Sequence, residues 1–242
     1  MSNYKVKVSY DGTNYSGWAK QNDNIKTIQN EIELTLSNIF QKEINIFASG
    51  RTDKYVHAID QCFNFKVESN IPVASIKKIC NSKLEKDIRI NSIQIVDDKF
   101  HSRFSIISKV YLYKINVGKY NLFERNHVYQ YNKDINLSKI KKAMKLFIGE
   151  NNFLSFSTTE VENTIRKIES FTVSKKNNYV FFKIKGNGFL RNMVRMIIAC
   201  ILNYNQDNIS HQEIINLLKN PKKGSSIDKA PGCGLYLYKT IY

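Results

Sequence analysis

What the chain lacks narrows the field before any motif is read. It has only 3 prolines and 10 glycines in 242 residues, too few for a disordered or collagen-like chain. Its four cysteines, Cys62, Cys80, Cys200 and Cys233, lie far apart with no C-x-x-C pair. That argues against a metal site or a disulfide framework, and for buried thiols in a reducing compartment. The longest apolar run, residues 196–202, is too short to cross a bilayer. Residues 1–10 alternate polar and apolar side chains without the apolar stretch of a signal peptide, so a soluble, cytoplasmic protein with no membrane partner is expected. No P-loop, G-x-G-x-x-G, H-E-x-x-H or G-x-S-x-G pattern occurs, which removes the signatures of the common nucleotide-binding, zinc-protease and hydrolase classes.

Acids are scarce as well: 21 against 37 lysines and arginines, a formal charge of +16. Such an excess favours a polyanionic partner, nucleic acid before an anionic membrane surface. An AT-rich genome would inflate lysine, but it does not explain why acids failed to keep pace. What is present, 42% hydrophobic and 12% aromatic residues, is the composition of a folded protein of one large or two small domains.

Residues 5–10 alternate as a half-buried strand that Asp11-Gly12-Thr13-Asn14 ends with turn chemistry. From Thr27, a plausible N-cap, Ile28, Ile32, Leu36, Ile39 and Phe40 recur at helical spacing. Strands are expected over 44–48 and 61–67, with the polar loop Ser49-Gly50-Arg51-Thr52-Asp53 after the first, and a helix over 73–84 behind Pro72. Strands follow at 88–96 and 109–117, the latter with Tyr111, Tyr113, Ile115 and Val117 on one face. Asn136 or Ser138 can cap a helix built on Leu137, Ile140, Met144, Phe147 and Ile148. Residues 164–174 and 179–185 read as an antiparallel pair joined by Lys175-Lys176-Asn177-Asn178. Helices over 189–202 and 210–218 and a strand over 234–241 close the chain. The order predicts an α+β fold with largely antiparallel sheet.

Three places could carry chemistry. Gly50-Arg51-Thr52-Asp53 sets an arginine two residues before a carboxylate, with His57 four residues on, although a loop aspartate is commonly a turn or cap residue. Arg191 and Arg195 stand four apart on an otherwise apolar helix, and a buried guanidinium needs an anion unless it snorkels to the surface. Tyr111 and Tyr113, with Arg103 and Phe104, could floor a base, or simply be good strand residues.

Taken together these segments resemble the tRNA pseudouridine synthase A family. The likeness rests on Tyr10-Asp11-Gly12-Thr13 with Gly17-Trp18, then Ser49-Gly50-Arg51-Thr52-Asp53 with Val56-His57-Ala58. Phe100-His101-Ser102-Arg103-Phe104 with Tyr111-Leu112-Tyr113 comes next, then residues 186–195 and Ala230-Pro231-Gly232-Cys233-Gly234-Leu235-Tyr236-Leu237. The resemblance implies a pseudouridine synthase fold: two similar halves, residues 1–104 with the aspartate loop and 105–242 with the tyrosine strand and arginine helix, around a central cleft. It implies isomerisation of uridine to pseudouridine at positions 38 to 40 of the tRNA anticodon arm, by a homodimer, without cofactor or metal. Carried over, Asp53 is the nucleophile, Arg51 helps hold the flipped nucleotide and Tyr111 lies against the uracil. Arg195 is the counter-ion of the acid, with Arg191 and His57 in support. Lys54-Tyr55 stands where the family has a small residue and glycine; if that glycine takes a positive φ, a tyrosine there costs on the order of a kcal/mol and re-aims the loop. Lys109 likewise replaces an arginine. These departures leave an alternative, a catalytically impaired tRNA-binding protein or RNA chaperone on the same fold.

Overall fold

The computed structural model describes residues 1–22, 25–158, 162–226 and 228–242. Its first elements are β1 (Ser2–Tyr10), α1 (Ile28–Phe40), β2 (Phe47–Ala48), β3 (His57–Val67), α2 (Val73–Lys83) and β4 (Ile88–Val96). Then come β5 (Ser108–Asn116), β6 (Tyr129–Gln130), α3 (Leu137–Met144), β7 (Gly149–Asn152) and β8 (Ile165–Lys176). The chain closes with β9 (Tyr179–Gly186), α4 (Met193–Asn205), α5 (His211–Lys219) and β10 (Leu235–Ile241). The fold is α+β. It divides into two compact units, Met1–Ile107 with Tyr236–Tyr242, and Ser108–Leu235.

In the first unit β1 pairs antiparallel with both β4 and β3. The other edge of β3 takes β10 in parallel at His57 and Ala58, and β2 antiparallel at Phe63 and Asn64. Helix α1 starts where the Thr27 hydroxyl accepts the Asn30 N–H, and its buried Ile28, Ile32 and Leu36 recur every fourth residue. Each such aliphatic side chain contributes about 1.5–3 kcal/mol on burial. Tyr4 and Phe65 stack in the same core, ring centroids 5.1 Å apart.

Strand β3 starts four residues earlier than its alternation predicts, and Gln61 through Phe65 are buried on both faces. The polar face is satisfied internally. Asn64 donates to Asn3 Oδ1 (3.2 Å) and accepts the Ser102 N–H (2.8 Å), while Asn3 donates to the carbonyls of Asp97 and Phe100. Two buried asparagines therefore hold the 97–102 segment across the strand, which is how polar side chains are accommodated under cover.

In the second unit the strand order is β5-β9-β8-β7, antiparallel throughout, with β6 parallel to β5. The β8–β9 hairpin is tighter than the expected four-residue link. Lys176 pairs with Tyr179, and Asn177 takes φ 53°, the conformation that two-residue hairpins need and asparagine tolerates. Asn136 caps α3, and Ser210 and Glu213 form a capping box on α5. Among the described residues Cys62, Cys80 and Cys200 are buried free thiols, and no helix is long and apolar enough to cross a membrane.

Candidate active site

Between β2 and β3 the chain forms a short loop clamped at both ends. At its start Ser49 N–H donates to the Cys62 carbonyl (2.8 Å), and the Gln61 amide donates to the Gly50 carbonyl (2.8 Å). In its middle the Thr52 carbonyl accepts the Trp18 N–H (3.0 Å), while the hydroxyls of Thr52 and Tyr10 share a hydrogen bond of 2.7 Å. At its end Val56 N–H returns to the Asp53 carbonyl (3.1 Å). Thr52 and Val56 are buried, Asp53 is half-buried and Arg51 is exposed. The backbone on either side of the carboxylate is thus tied down, and the acid and the arginine keep access to solvent.

Two glycines from the N-terminal segment make this possible. A Cβ on Gly17, which sits at φ 99°, would come 2.6 Å from the Thr52 carbonyl oxygen; one on Gly12 would collide with the Val56 carbonyl. The loop rests directly on backbone that only glycine leaves bare. Tyr55 adopts φ 67°, in the left-handed region that favours glycine, and Lys54 Nζ lies 4.9 Å from its ring centroid. The departure from the family pattern is accommodated with the Val56–Asp53 turn intact.

His57 is buried at the first position of β3, its ring stacked on Tyr236 at 4.7 Å. Its Nδ1 accepts the Gly12 N–H (3.1 Å) and lies 3.0 Å from Asp11 Oδ1. A backbone N–H can only donate, and Asp11 Oδ1 already accepts both the N–H and the hydroxyl of Thr13. Nδ1 thus faces the Gly12 N–H and the Asp11 carboxylate together, which fixes the ring against the 11–13 turn. This histidine braces the turn that supports the loop.

Tyr111, Arg195 and Arg191 belong to the second unit. Tyr111 is buried on β5 and meets Phe189 edge-on at 5.1 Å. Its neighbour Tyr113 is fully buried and donates to the Pro231 carbonyl (2.7 Å); loss of solvation pushes its phenol well above the ordinary value. A Cβ on Gly234 would press on the Tyr113 ring at 2.8 Å, so the 230–234 turn needs its glycine to lie against β5. Arg195 Nε donates to the Ala230 carbonyl (2.8 Å) and Nη1 to Asn192 Oδ1 (3.2 Å), while Ala230 N–H bonds back to the Arg195 carbonyl. The guanidinium is held by the closing turn as well as by its own helix.

The expectation that Arg191 and Arg195 share a helical face is corrected. Helix α4 begins at Met193, not Phe189, and Arg191 lies outside it, exposed. Asn192 takes φ 65°, and Met193 N–H closes a turn onto the Leu190 carbonyl. A left-handed residue breaks the helical path, so the four-residue spacing no longer stacks the two side chains.

The family described as tRNA pseudouridine synthase matches residues 7–105 and 143–242. The chain belongs to this family. It is 52% identical over 240 residues to the tRNA pseudouridine synthase A of Malacoplasma penetrans, covering 99% of both chains. It is 44% identical to that of Ureaplasma parvum, covering 99% of this chain and all of the relative. With that of Mycoplasma genitalium it shares 40%, covering all of this chain and 99% of the relative. Among solved structures it resembles an H/ACA RNP bound to a substrate RNA containing 2′-deoxyuridine, at 12% identity over 84% of this chain and 52% of that one. The TM-score of 0.34 is too low to add to the family assignment.

Within this family member, the blocks quoted from the sequence acquire physical reasons. Tyr10, Gly12, Gly17 and Trp18 form the bed of the Asp53 loop, and Pro231 and Gly234 form the cap on Tyr113. Gln61 was not singled out from the sequence. A glutamine that alternation places within a buried strand was the available signal, since a buried amide requires partners.

Proposed function

We propose that this protein isomerises uridine to pseudouridine at positions 38 to 40 of the tRNA anticodon arm, with Asp53 as nucleophile. The observation that carries the reading is the clamped loop, which holds a half-buried carboxylate on a backbone fixed at Gly50, Thr52 and Val56. In this reading Arg51 grips the flipped nucleotide, His57 braces the loop, Tyr111 lies against the uracil, Arg195 is the counter-ion of the acid and Arg191 is an exposed phosphate contact.

A paired base hides its glycosidic bond, so the uridine leaves the stack at a cost of about a few kcal/mol, offset by stacking and phosphate contacts. The bond between N1 and C1′ breaks, the uracil turns while held by the tyrosine ring, and C5 bonds to C1′. One proton leaves C5 and one arrives on N1. Substrate and product are isomers, so the balance calls for no oxidant, reductant or co-substrate. A carboxylate attacks only when ionised, and a nearby guanidinium favours that form.

The protein works as a cytoplasmic homodimer in this proposal. Its test is a tRNA transcript tritiated at uracil C5. Wild-type protein should release tritium, and Asp53→Asn should release none while still binding the RNA. Binding without release by the wild type would instead favour an impaired tRNA-binding protein, the reading that Tyr55 at φ 67° keeps in play.

A further inference from the structure

The turn at residues 100–105 is built rigidly and yet displays its aromatic side chains. Phe104 N–H and Ser105 N–H both donate to the His101 carbonyl (3.1 and 2.8 Å), and Arg103 N–H donates to His101 Nδ1 (3.1 Å). Beneath it, Ser102 is fully buried, its N–H on Asn64 and its carbonyl accepting the Tyr242 hydroxyl (2.9 Å). Such a turn could have folded its phenylalanine inward. Instead Phe104 is 76% exposed and Phe47, on β2, is 50% exposed.

These rings are in successive contact, tilted to one another by 45° and 39°. Phe47 and His101 have centroids 5.2 Å apart, His101 and Phe104 4.5 Å, and the Arg103 guanidinium lies 5.7 Å from the Phe104 ring. Since His101 Nδ1 accepts a backbone N–H, its Nε2 carries the proton and is a donor. Leaving a phenylalanine largely in water forgoes up to about 3 kcal/mol of burial. A set of contacting rings with a guanidinium beside it, on a chain of charge +16, has the chemistry that stacks unpaired bases and contacts their phosphates.

We propose that Phe47, His101 and Phe104, with Arg103, form a stacking platform for unpaired bases of the substrate RNA outside the reacting nucleotide. This rests on the proposed activity and extends it to the flanking strand. Phe47 lies six residues before Asp53 on the strand that enters the loop. Chain length alone therefore keeps it within about 22 Å of that residue, the span of about six stacked nucleotides.

The test uses the full chain and an unmodified tRNA transcript. Phe104→Ala should weaken binding about 5- to 150-fold, the range found for loss of one stacked base. The RNA concentration that gives half-maximal single-turnover tritium release should rise by the same factor, a shift that a purely structural role would not produce. Phe104→Trp should restore affinity and Phe104→Leu should not, since leucine supplies apolar surface without a π-face. Binding repeated in an Asp53→Asn background separates the two proposals: a platform effect there survives even if the wild type fails to convert uridine. Unchanged affinity in Phe104→Ala overturns the platform. So does full rescue by leucine together with a shift in sedimentation, which would make the patch a contact between protein copies.

Discussion

Gly17→Ala is the substitution on which the account of the loop stands or falls. The glycine sits at φ 99°, and an added Cβ would lie 2.6 Å from the Thr52 carbonyl oxygen, 3.2 Å from the Asp53 carbonyl carbon and 3.3 Å from Lys54 N. A normal carbon–oxygen approach is about 3.3–3.6 Å, so the loop must retreat by roughly 0.7–1 Å. Positive φ alone costs an L-residue about 1–2 kcal/mol, and with the clash the total is about 2–4 kcal/mol. A displacement of that size at a reacting group costs on the order of 100-fold in rate. Gly149 supplies the control: it has φ 100° but nothing within 4 Å of an added Cβ, so Gly149→Ala carries the backbone cost without the clash. Urea denaturation should find both variants destabilised, Gly17→Ala more so. Single-turnover tritium release should fall about 10- to 100-fold in Gly17→Ala and remain at wild type in Gly149→Ala. If Gly17→Ala turns over within twofold of wild type, or Gly149→Ala loses as much activity, the loop does not depend on this contact.

Tyr55→Gly should leave stability within about 1 kcal/mol of wild type, since relief of positive φ is offset by the greater chain entropy of glycine; a loss of more than 2 kcal/mol by urea denaturation would show that the ring does more than sit under Lys54. Burial pushes the Cys80 thiol up to about 11 and the Cys200 thiol up to about 12, so neither should react with iodoacetamide at pH 8 in native protein, as mass spectrometry would reveal. Because these folded-state values lie above the ordinary thiol value, the stability they contribute is complete below about pH 9. It is lost as pH rises through the folded values, toward 11 and then 12. The urea midpoint of the wild type should therefore fall more steeply over that window than that of a Cys80→Ala, Cys200→Ala double variant.

Elements whose hydrogen bonds close within a few residues were legible in the chain. Thr27 caps α1 and Asn136 caps α3, and the 177–178 turn joins two alternating strands. The start of α4 was not, because Phe189 and Leu190 continue the apolar character of the helix while Asn192 departs from it in backbone conformation alone. The candidate acid, tyrosine and arginine were legible chiefly through resemblance, since an aspartate in a polar loop has no distinguishing local mark.

By itself the sequence determined the order and kind of the longer elements, though not the short strands β6 and β7, together with the basic charge and the residues able to do chemistry. These depend on side-chain periodicity and on contacts between near neighbours, which the chain states directly. Only the tertiary structure decided that Gly17 lies against Thr52, that Asn64 holds Ser102, and that the Ala230 turn grips Arg195. Each of these contacts joins residues more than thirty positions apart, and none follows from local preference. They form only when the packed core has brought the segments together and absorbed the entropy of closing the loops between them.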